Sequence, residues 1–463
     1  MTQHPIPSKS KKARYLAAAI PLALLAACGG GSNNSSESTP PPTATVPPPV
    51  ATVPPITTTP EEPATPPAEP TFATEVARHV DAATKIAGTD ALLLDTYKTY
   101  YCMFAEDRLD LRTAARNDTA RVPLTQIYDD AWYIGNRYVG QYILKSGSGF
   151  SLVDSLNNAN EAQTYTVPAL NSLGMGPSLP LNSVYLTHGH GDHDGGAVYL
   201  KNNFAPQILL GSADANGKAY TPTLIDSTDL TPKTINFGGR QVTFLPTPGH
   251  TAGSTSAIIP VHDGGRQINL VAVGGSSMPS DINGARSYLD SVERTYVLAK
   301  QIGVEGSIHP HPVFDGTLKN LDKLAASPLT QPSPFTVGED RALRGLAIYR
   351  QCAAAWVAKI DATAVIPVWR ATKLDVTAPA TGSSIVTAKL SSAWGPVAKQ
   401  QISFMANDTG STCVATTDKE GMGSCELRTS PIDPKLREIT ATFAGAEAAT
   451  YLDLPTKATL TVQ

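Results

Sequence analysis

The chain reads as an α/β domain of stacked sheets with helices outside, followed by a small all-β sandwich. From about Phe72 to Pro367, strand-like apolar runs come first, helices interleave with them, and strand-like runs return. From about Ala371 the helical period vanishes, and short alternating segments follow at sandwich-like spacing. Six of the nine histidines fall in three glycine- or proline-marked loops of the first region.

Residues 1–27 read as an export signal: Lys9, Lys11, Lys12 and Arg14 precede an apolar run from Tyr15 to Ala27, too short for a stable anchor. The run ends in Leu25-Ala26-Ala27-Cys28, which resembles a bacterial lipobox. That resemblance implies a lipid on Cys28 as the link to the membrane. With Gly29 next, not an aspartate, it also implies outer-membrane sorting in a Gram-negative host, facing the periplasm or cell surface. An ordinary signal peptide with a chance cysteine is the alternative. Residues 28–71 hold 13 prolines between Pro40 and Pro70, a composition that cannot bury enough apolar area to offset its ordering entropy. An extended tether is expected, with binding of a partner to the proline runs as the alternative.

Residues 72–367 form the expected central domain. Ala91 to Phe104 reads as a helix, then Ile127-Tyr128, Trp132–Ile134, Tyr138–Leu144 and Phe150–Asp154 as short strands. An interrupted helix, Tyr165–Leu173, precedes the strand-like stretch Ser183–Thr187. Gln207–Leu210, Val242–Leu245, Ser256–Pro260 and Asn269–Val273 continue as strands. Ala285–Ile302 carries Tyr288, Leu289, Val292, Tyr296 and Ala299 in one stripe, and a last helix runs from about Asp340 to Ile360. Residues 371–463 supply Ser384–Leu390, Gln401–Ala406, Cys413–Thr416, Gly423–Leu427, Glu438–Phe443 and Ala458–Val462 as alternating strands. This segment resembles bacterial immunoglobulin-like domains, implying an accessory module.

With Cys28 lipidated, Cys102, Cys352, Cys413 and Cys425 remain, an even number suited to two disulfides in an oxidising compartment. Cys413 and Cys425 share the small domain and are expected to pair, leaving Cys102 for Cys352. A net charge of −4 offers no basic field for a nucleic-acid backbone, so that partner class is excluded. A monomer acting on a small molecule is expected.

Chemistry concentrates at His188-Gly189-His190-Gly191-Asp192-His193, directly after a strand. Three imidazoles and a carboxylate packed so tightly are costly to keep unless a cation uses them, and these donors suit Zn²⁺. Further candidates are His250, in Pro248-Gly249-His250-Thr251-Ala252-Gly253, and His309 and His311, in His309-Pro310-His311. His4, His79 and His262 lack such context and read as incidental.

Together these loops resemble the metallo-β-lactamase superfamily over roughly Ile127 to Ile360, implying an αββα sandwich with two zinc ions. The resemblance assigns His188, His190 and His250 to one zinc. It assigns Asp192, His193 and a late histidine to the other: His311, with His309 the alternative. Asp154 resembles the aspartate that buttresses the metal loops; a plain strand-end turn residue is the other reading. Where most hydrolases of the superfamily carry a bridging aspartate, this chain has Gly275-Ser276-Ser277, similar to class B subclass 3 metallo-β-lactamases. Ser276 and Ser277 either bond a substrate carboxylate or simply make the turn. The family's basic anchor for that carboxylate is not evident near Pro279.

What the resemblance implies is a zinc-dependent hydrolase in which the metals activate water against a carbonyl, with Asp192 orienting the nucleophile. A β-lactam-type cyclic amide is the leading substrate. An ester or lactone hydrolase with the same site, and a surface-binding lipoprotein with structural zinc, are the alternatives. Nuclease and glyoxalase-type thioesterase readings fit poorly with export and the acidic balance. No Gly-x-Ser-x-Gly elbow is present. Pocket walls are expected from loops such as Gly211–Asp229.

Overall fold

This computed structural model describes residues 73–462, except 328, 378, 380–382 and 428–436. The expected signal, the lipidated Cys28 and the tether lie outside the described residues. Seven strands form the first sheet in chain order: β1 (Arg121–Tyr128), β2 (Ala131–Asn136), β3 (Gly140–Ser146), β4 (Gly149–Val153), β5 (Leu181–Tyr185), β6 (Gln207–Gly211) and β7 (Thr223–Ile225). Pairing is antiparallel from β1 to β4 and parallel from β4 to β7. The second sheet holds β8 (Lys233–Phe237), β9 (Arg240–Pro246), β10 (Thr255–Asp263), β11 (Arg266–Ala272) and β12 (Val304–Ile308) in that spatial order, with only β11–β12 parallel.

Alternation along each strand decides which layer a side chain joins. Tyr142, Leu144 and Val153 meet Val242, Phe244, Ile259, Leu270 and Ile308 between the sheets. Their neighbours Ile143 and Leu152 face outward, under Ala169, Leu170, Ala197 and Leu200 of covering helices. On the other side Ile258 and Val271 pack against Leu289, Val292, Leu346 and Val357. Helix, sheet, sheet, helix is therefore the layering of this region. Strands buried on both faces read as continuous apolar runs, which is why the sequence showed them clearly. Each aliphatic side chain fully enclosed here contributes roughly 1.5–3 kcal/mol.

The helix Ile282–Ile302 ends where expected but starts three residues before Ala285, because the Asp281 carboxylate accepts from Gly284 N at 2.8 Å and starts it; Gly303 at φ +76° ends it. Helix Glu339–Ile360 is buried on most of its surface because it lies against helices Glu75–Ala87 and Ile282–Ile302. The sequence reading missed Glu75–Ala87, Leu109–Asn117, Ala197–Phe204 and Thr317–Ala326 as helices, and strands β7, β8 and β12. His79, read as incidental, is a core residue of the first of these. Burial, then Arg350, lowers its pKa to about 3.

Beyond residue 371 two further sheets enclose Leu374, Val386, Leu390, Ile402, Phe404, Ile439 and Phe443. Gln401–Ala406 alternates strictly between exposed and buried. Cys413 bonds Cys425 and Cys102 bonds Cys352, the pairing expected from the sequence. Val368–Arg370 runs parallel to Tyr451–Asp453, and the Arg370 guanidinium makes two hydrogen bonds to Asp453, at 2.7 and 2.8 Å.

Candidate metal centre

Strand ends bring the chemistry together. Asp154 follows β4, His188 follows β5, His250 follows β9, Ser276 follows β11 and His311 follows β12. In open α/β sheets, ligand crevices form outside the carboxyl ends of the strands, and all five loops leave such ends.

Two triads of donor atoms result, His188–His190–His250 and Asp192–His193–His311, each with its atoms within 4.8 Å of one another. In the first, His188 Nε2 lies 3.0 Å from His250 Nε2, and His190 Nδ1 lies 3.2 Å from both. In the second, His193 Nε2 is 3.3 Å from His311 Nε2, and Asp192 Oδ2 is 3.5 and 3.6 Å from these nitrogens. The rings of His188 and His193, 4.1 Å apart, join the triads.

Four imidazoles have Nδ1 committed elsewhere. His193 Nδ1 donates to Asp154 Oδ2 at 2.7 Å, His250 Nδ1 to the Ser277 carbonyl at 2.7 Å, and His311 Nδ1 to the Tyr138 carbonyl at 2.9 Å. His188 Nδ1 lies 3.1 Å from Thr187 Oγ1, whose own hydrogen goes to Asp154 Oδ2 at 3.0 Å. Each Nε2 is thereby left as a lone pair aimed at the others. Tetrahedral Zn²⁺ with nitrogens at its usual bond length has ligand–ligand edges of about 3.3 Å, close to the separations seen. The donor set fits zinc.

Electrostatics agree. Burial, reinforced by the neighbouring imidazoles, holds His188 well below the usual histidine range. Burial lowers His250 to about 4 and His311 to about 3. All three are neutral and free to ligate at physiological pH. Burial also pulls on His193, but the Asp154 carboxylate outweighs it and the net shift is upward. In Asp192, burial is outweighed by His193 and His311, so its carboxyl is held below the ordinary value.

Asp154 is fully buried at φ +62° and also accepts from Thr187 N at 2.7 Å, so one carboxylate braces both triads. His311, not His309, joins the cluster; His309 stacks on Phe314 and accepts from His311 N at 2.8 Å. Glycine is required at two places: a Cβ on Gly275 would lie 2.4 Å from the His250 ring, and Gly249 sits at φ +147° against the Tyr288 backbone.

A cleft of about 450 Å³ opens over both triads, lined further by Tyr138, Ser277, Met278, Pro279, Arg112 and Arg116. Ser277 thus faces the cleft. Ser276 is buried and does not line it. The Gly211–Asp229 loop supplies none of the cleft wall, contrary to expectation. It braces the metal loops instead: Asp214 accepts from Gly189 N, Gly253 N and Thr251 Oγ1 at 2.8, 2.9 and 2.7 Å. Trp356 donates to the Pro279 carbonyl at 2.6 Å, and the Tyr288 and Tyr349 hydroxyls to that of Gly275 at 3.1 Å. The sequence reading missed these braces, and Arg112 and Arg116 with them. A turn aspartate and two helical arginines carry no signal by themselves.

Residues 141–263 match the profile of the metallo-beta-lactamase superfamily. A hydroxyacylglutathione hydrolase of Neisseria meningitidis serogroup A is 37% identical over 86 residues, 19% of this chain and 32% of that protein. One of Acidiphilium cryptum is 44% identical over 73 residues, 16% of this chain and 28% of that protein. The chain thus spans about a third of the length of these curated relatives. Among solved structures, a subclass B3 metallo-beta-lactamase of Bradyrhizobium japonicum aligns with TM-score 0.41 and 19% identity, over 51% of this chain and 94% of that one. A metallo-beta-lactamase from Legionella gormanii aligns with TM-score 0.40 and 17% identity, over 49% of this chain and 92% of that one. The profile match spans the loops that supply Asp154, His188 to His193 and His250.

Proposed function

We propose that the protein is a zinc-dependent hydrolase of a carbonyl substrate, with a β-lactam-type cyclic amide as the leading substrate. One observation carries the reading: two donor triads from separate loops converge in a single open cleft of about 450 Å³. His188, His190 and His250 would hold one zinc, and Asp192, His193 and His311 the other. Zinc at such donors supplies Lewis acidity toward a carbonyl and toward water. The chain's own part is positional. Ser277, Tyr138 and Asp154 fix three Nε2 lone pairs by holding Nδ1–H. Asp192, one-third exposed with Oδ2 turned to the imidazoles, keeps Oδ1 to orient water and take its proton. Tyr138, Met278 and Pro279 line the cleft beside the donors.

A thioester reading is favoured by one finding, the hydroxyacylglutathione hydrolases among the sequence relatives. Against it stands Ser276, where the resemblance leads one to expect a bridging aspartate for that chemistry. We further infer a lipid anchor at Cys28, a periplasmic or surface location, a monomer, and an immunoglobulin-like accessory role for the C-terminal sheets.

Purified protein is expected to bind about two zinc ions per chain and to lose hydrolysis on chelation. A chromogenic panel of cephalosporin, carbapenem, lactone, aryl ester and thioester separates the substrates. Turnover of any of them by metal-free protein would refute the mechanism.

A further inference from the structure

The cleft has a basic wall that the metal chemistry does not use. Arg112 and Arg116 lie four residues apart on helix Leu109–Asn117, hence on one face, and both line the cleft beside the six donors. Neighbouring arginines are neutralised: Arg108 by Asp110 at 3.0 Å, and Arg137 by Asp118 at 2.9 Å and Asp322 at 2.6 Å. Neither Arg112 nor Arg116 has a carboxylate partner among the described residues. The Arg112 guanidinium lies beside the Tyr138 hydroxyl, and the Tyr138 ring packs 4.6 Å from the His311 ring.

We propose that Arg112, Arg116 and the Tyr138 hydroxyl form an anion subsite on the Asp192–His193–His311 side of the cleft, and that the substrate is a carbonyl compound bearing a carboxylate. This inference rests on the zinc-hydrolase reading. A guanidinium presents paired donors that match a carboxylate, and two of them at the mouth also steer anions inward.

The test uses the zinc-loaded full chain and two probes, 3-mercaptopropionate and its methyl ester. Both offer a thiolate to the metals, so their difference in affinity, read by calorimetry, reports the carboxylate alone. The acid is expected to bind about 10-fold tighter than the ester. In the R112Q/R116Q double variant the ratio should fall toward one, and R112K/R116K should restore part of it, with zinc content and melting midpoint unchanged. The wild type gives a second readout without any variant: raising salt from about 0.05 to about 0.5 M should weaken the acid and not the ester. Equal binding of the two probes by wild type, an unchanged ratio in the glutamine variant, or no salt effect overturns the subsite. Zinc uptake with no acid preference defeats this inference and leaves the hydrolase reading standing. No zinc uptake defeats both.

Discussion

The two donor triads are built from the same kinds of side chain but held differently. In Asp192–His193–His311, both imidazoles are buried, and each has its Nδ1 fixed by an oxygen from outside the triad. In His188–His190–His250, the first and last are braced the same way, while His190 is exposed and turns its Nδ1 toward its fellow donors. The four braced imidazoles are thus held from outside the triads, while Asp192, one-third exposed, and His190 are less confined. A site that must be both assembled and reactive thus separates braced imidazoles from two less confined donors, Asp192 and His190. Stability and activity should therefore respond to different substitutions.

Asp154→Ala is the severest way to break this division. It strands Thr187 N–H and the His193 Nδ1–H in a fully buried place, and breaking a buried pair of this kind costs about 3–5 kcal/mol. Denaturant unfolding should show that loss together with reduced zinc content; a change under about 1 kcal/mol would mean that Asp154 is no brace. His190→Ala should do the reverse, abolishing hydrolysis while unfolding stability shifts by less than about 0.5 kcal/mol. Retained turnover would remove His190 from the reactive set. His311→Ala is expected to bring zinc to about one per chain by elemental analysis. His309→Leu should leave uptake intact and cost only about 1–2 kcal/mol, for the lost bond to His311 N.

A pH-dependent test compares Asp154 with a second buried carboxylate. Asp315 accepts from Thr317 N at 3.0 Å but leaves Oδ2 without a partner, and burial raises its pKa to about 6. A carboxyl raised on folding favours the folded state below its unfolded pKa, and that contribution fades as pH climbs through about 6. Asp315→Asn should therefore gain on the wild type by roughly 2 kcal/mol between about pH 4.5 and pH 7.5. Parallel stability curves over that range would sink the assignment.

Residues that announce themselves in the sequence are those whose spacing has no cheap alternative. His188 to His193 and the loops around His250 and His311 belong to that class, because clustered imidazoles between glycines and prolines are hard to satisfy otherwise. Double-sided burial likewise made β3, β4 and β11 legible. Arg112 and Arg116 were not, since basic residues at i, i+4 ordinarily mark a solvated helix face, and only the fold turns that face onto the cleft. The buried face of Glu75–Ala87 is mostly alanine and Leu109–Asn117 buries only Ala115, so neither helix shows a stripe of large apolar side chains. Strand β8 is exposed at four of its five positions and carries little apolar pattern. The Gly211–Asp229 loop misled for a related reason: sequence distance from the histidines gave no hint that Asp214 reaches behind them.

The short strand Val368–Arg370 has a practical consequence for anyone dissecting the chain. Its hydrogen-bonding partner Tyr451–Asp453 comes from the far end, Arg370 stacks over Tyr451, and Trp369 packs on Tyr296 beneath Arg350. A shortened version stopping near residue 371 would keep the metal loops but leave this clasp open, with Arg370 robbed of its counter-ion. Such a fragment should express poorly or self-associate through the bared strand, so the C-terminal sheets belong in any preparation meant to be handled as a clean species.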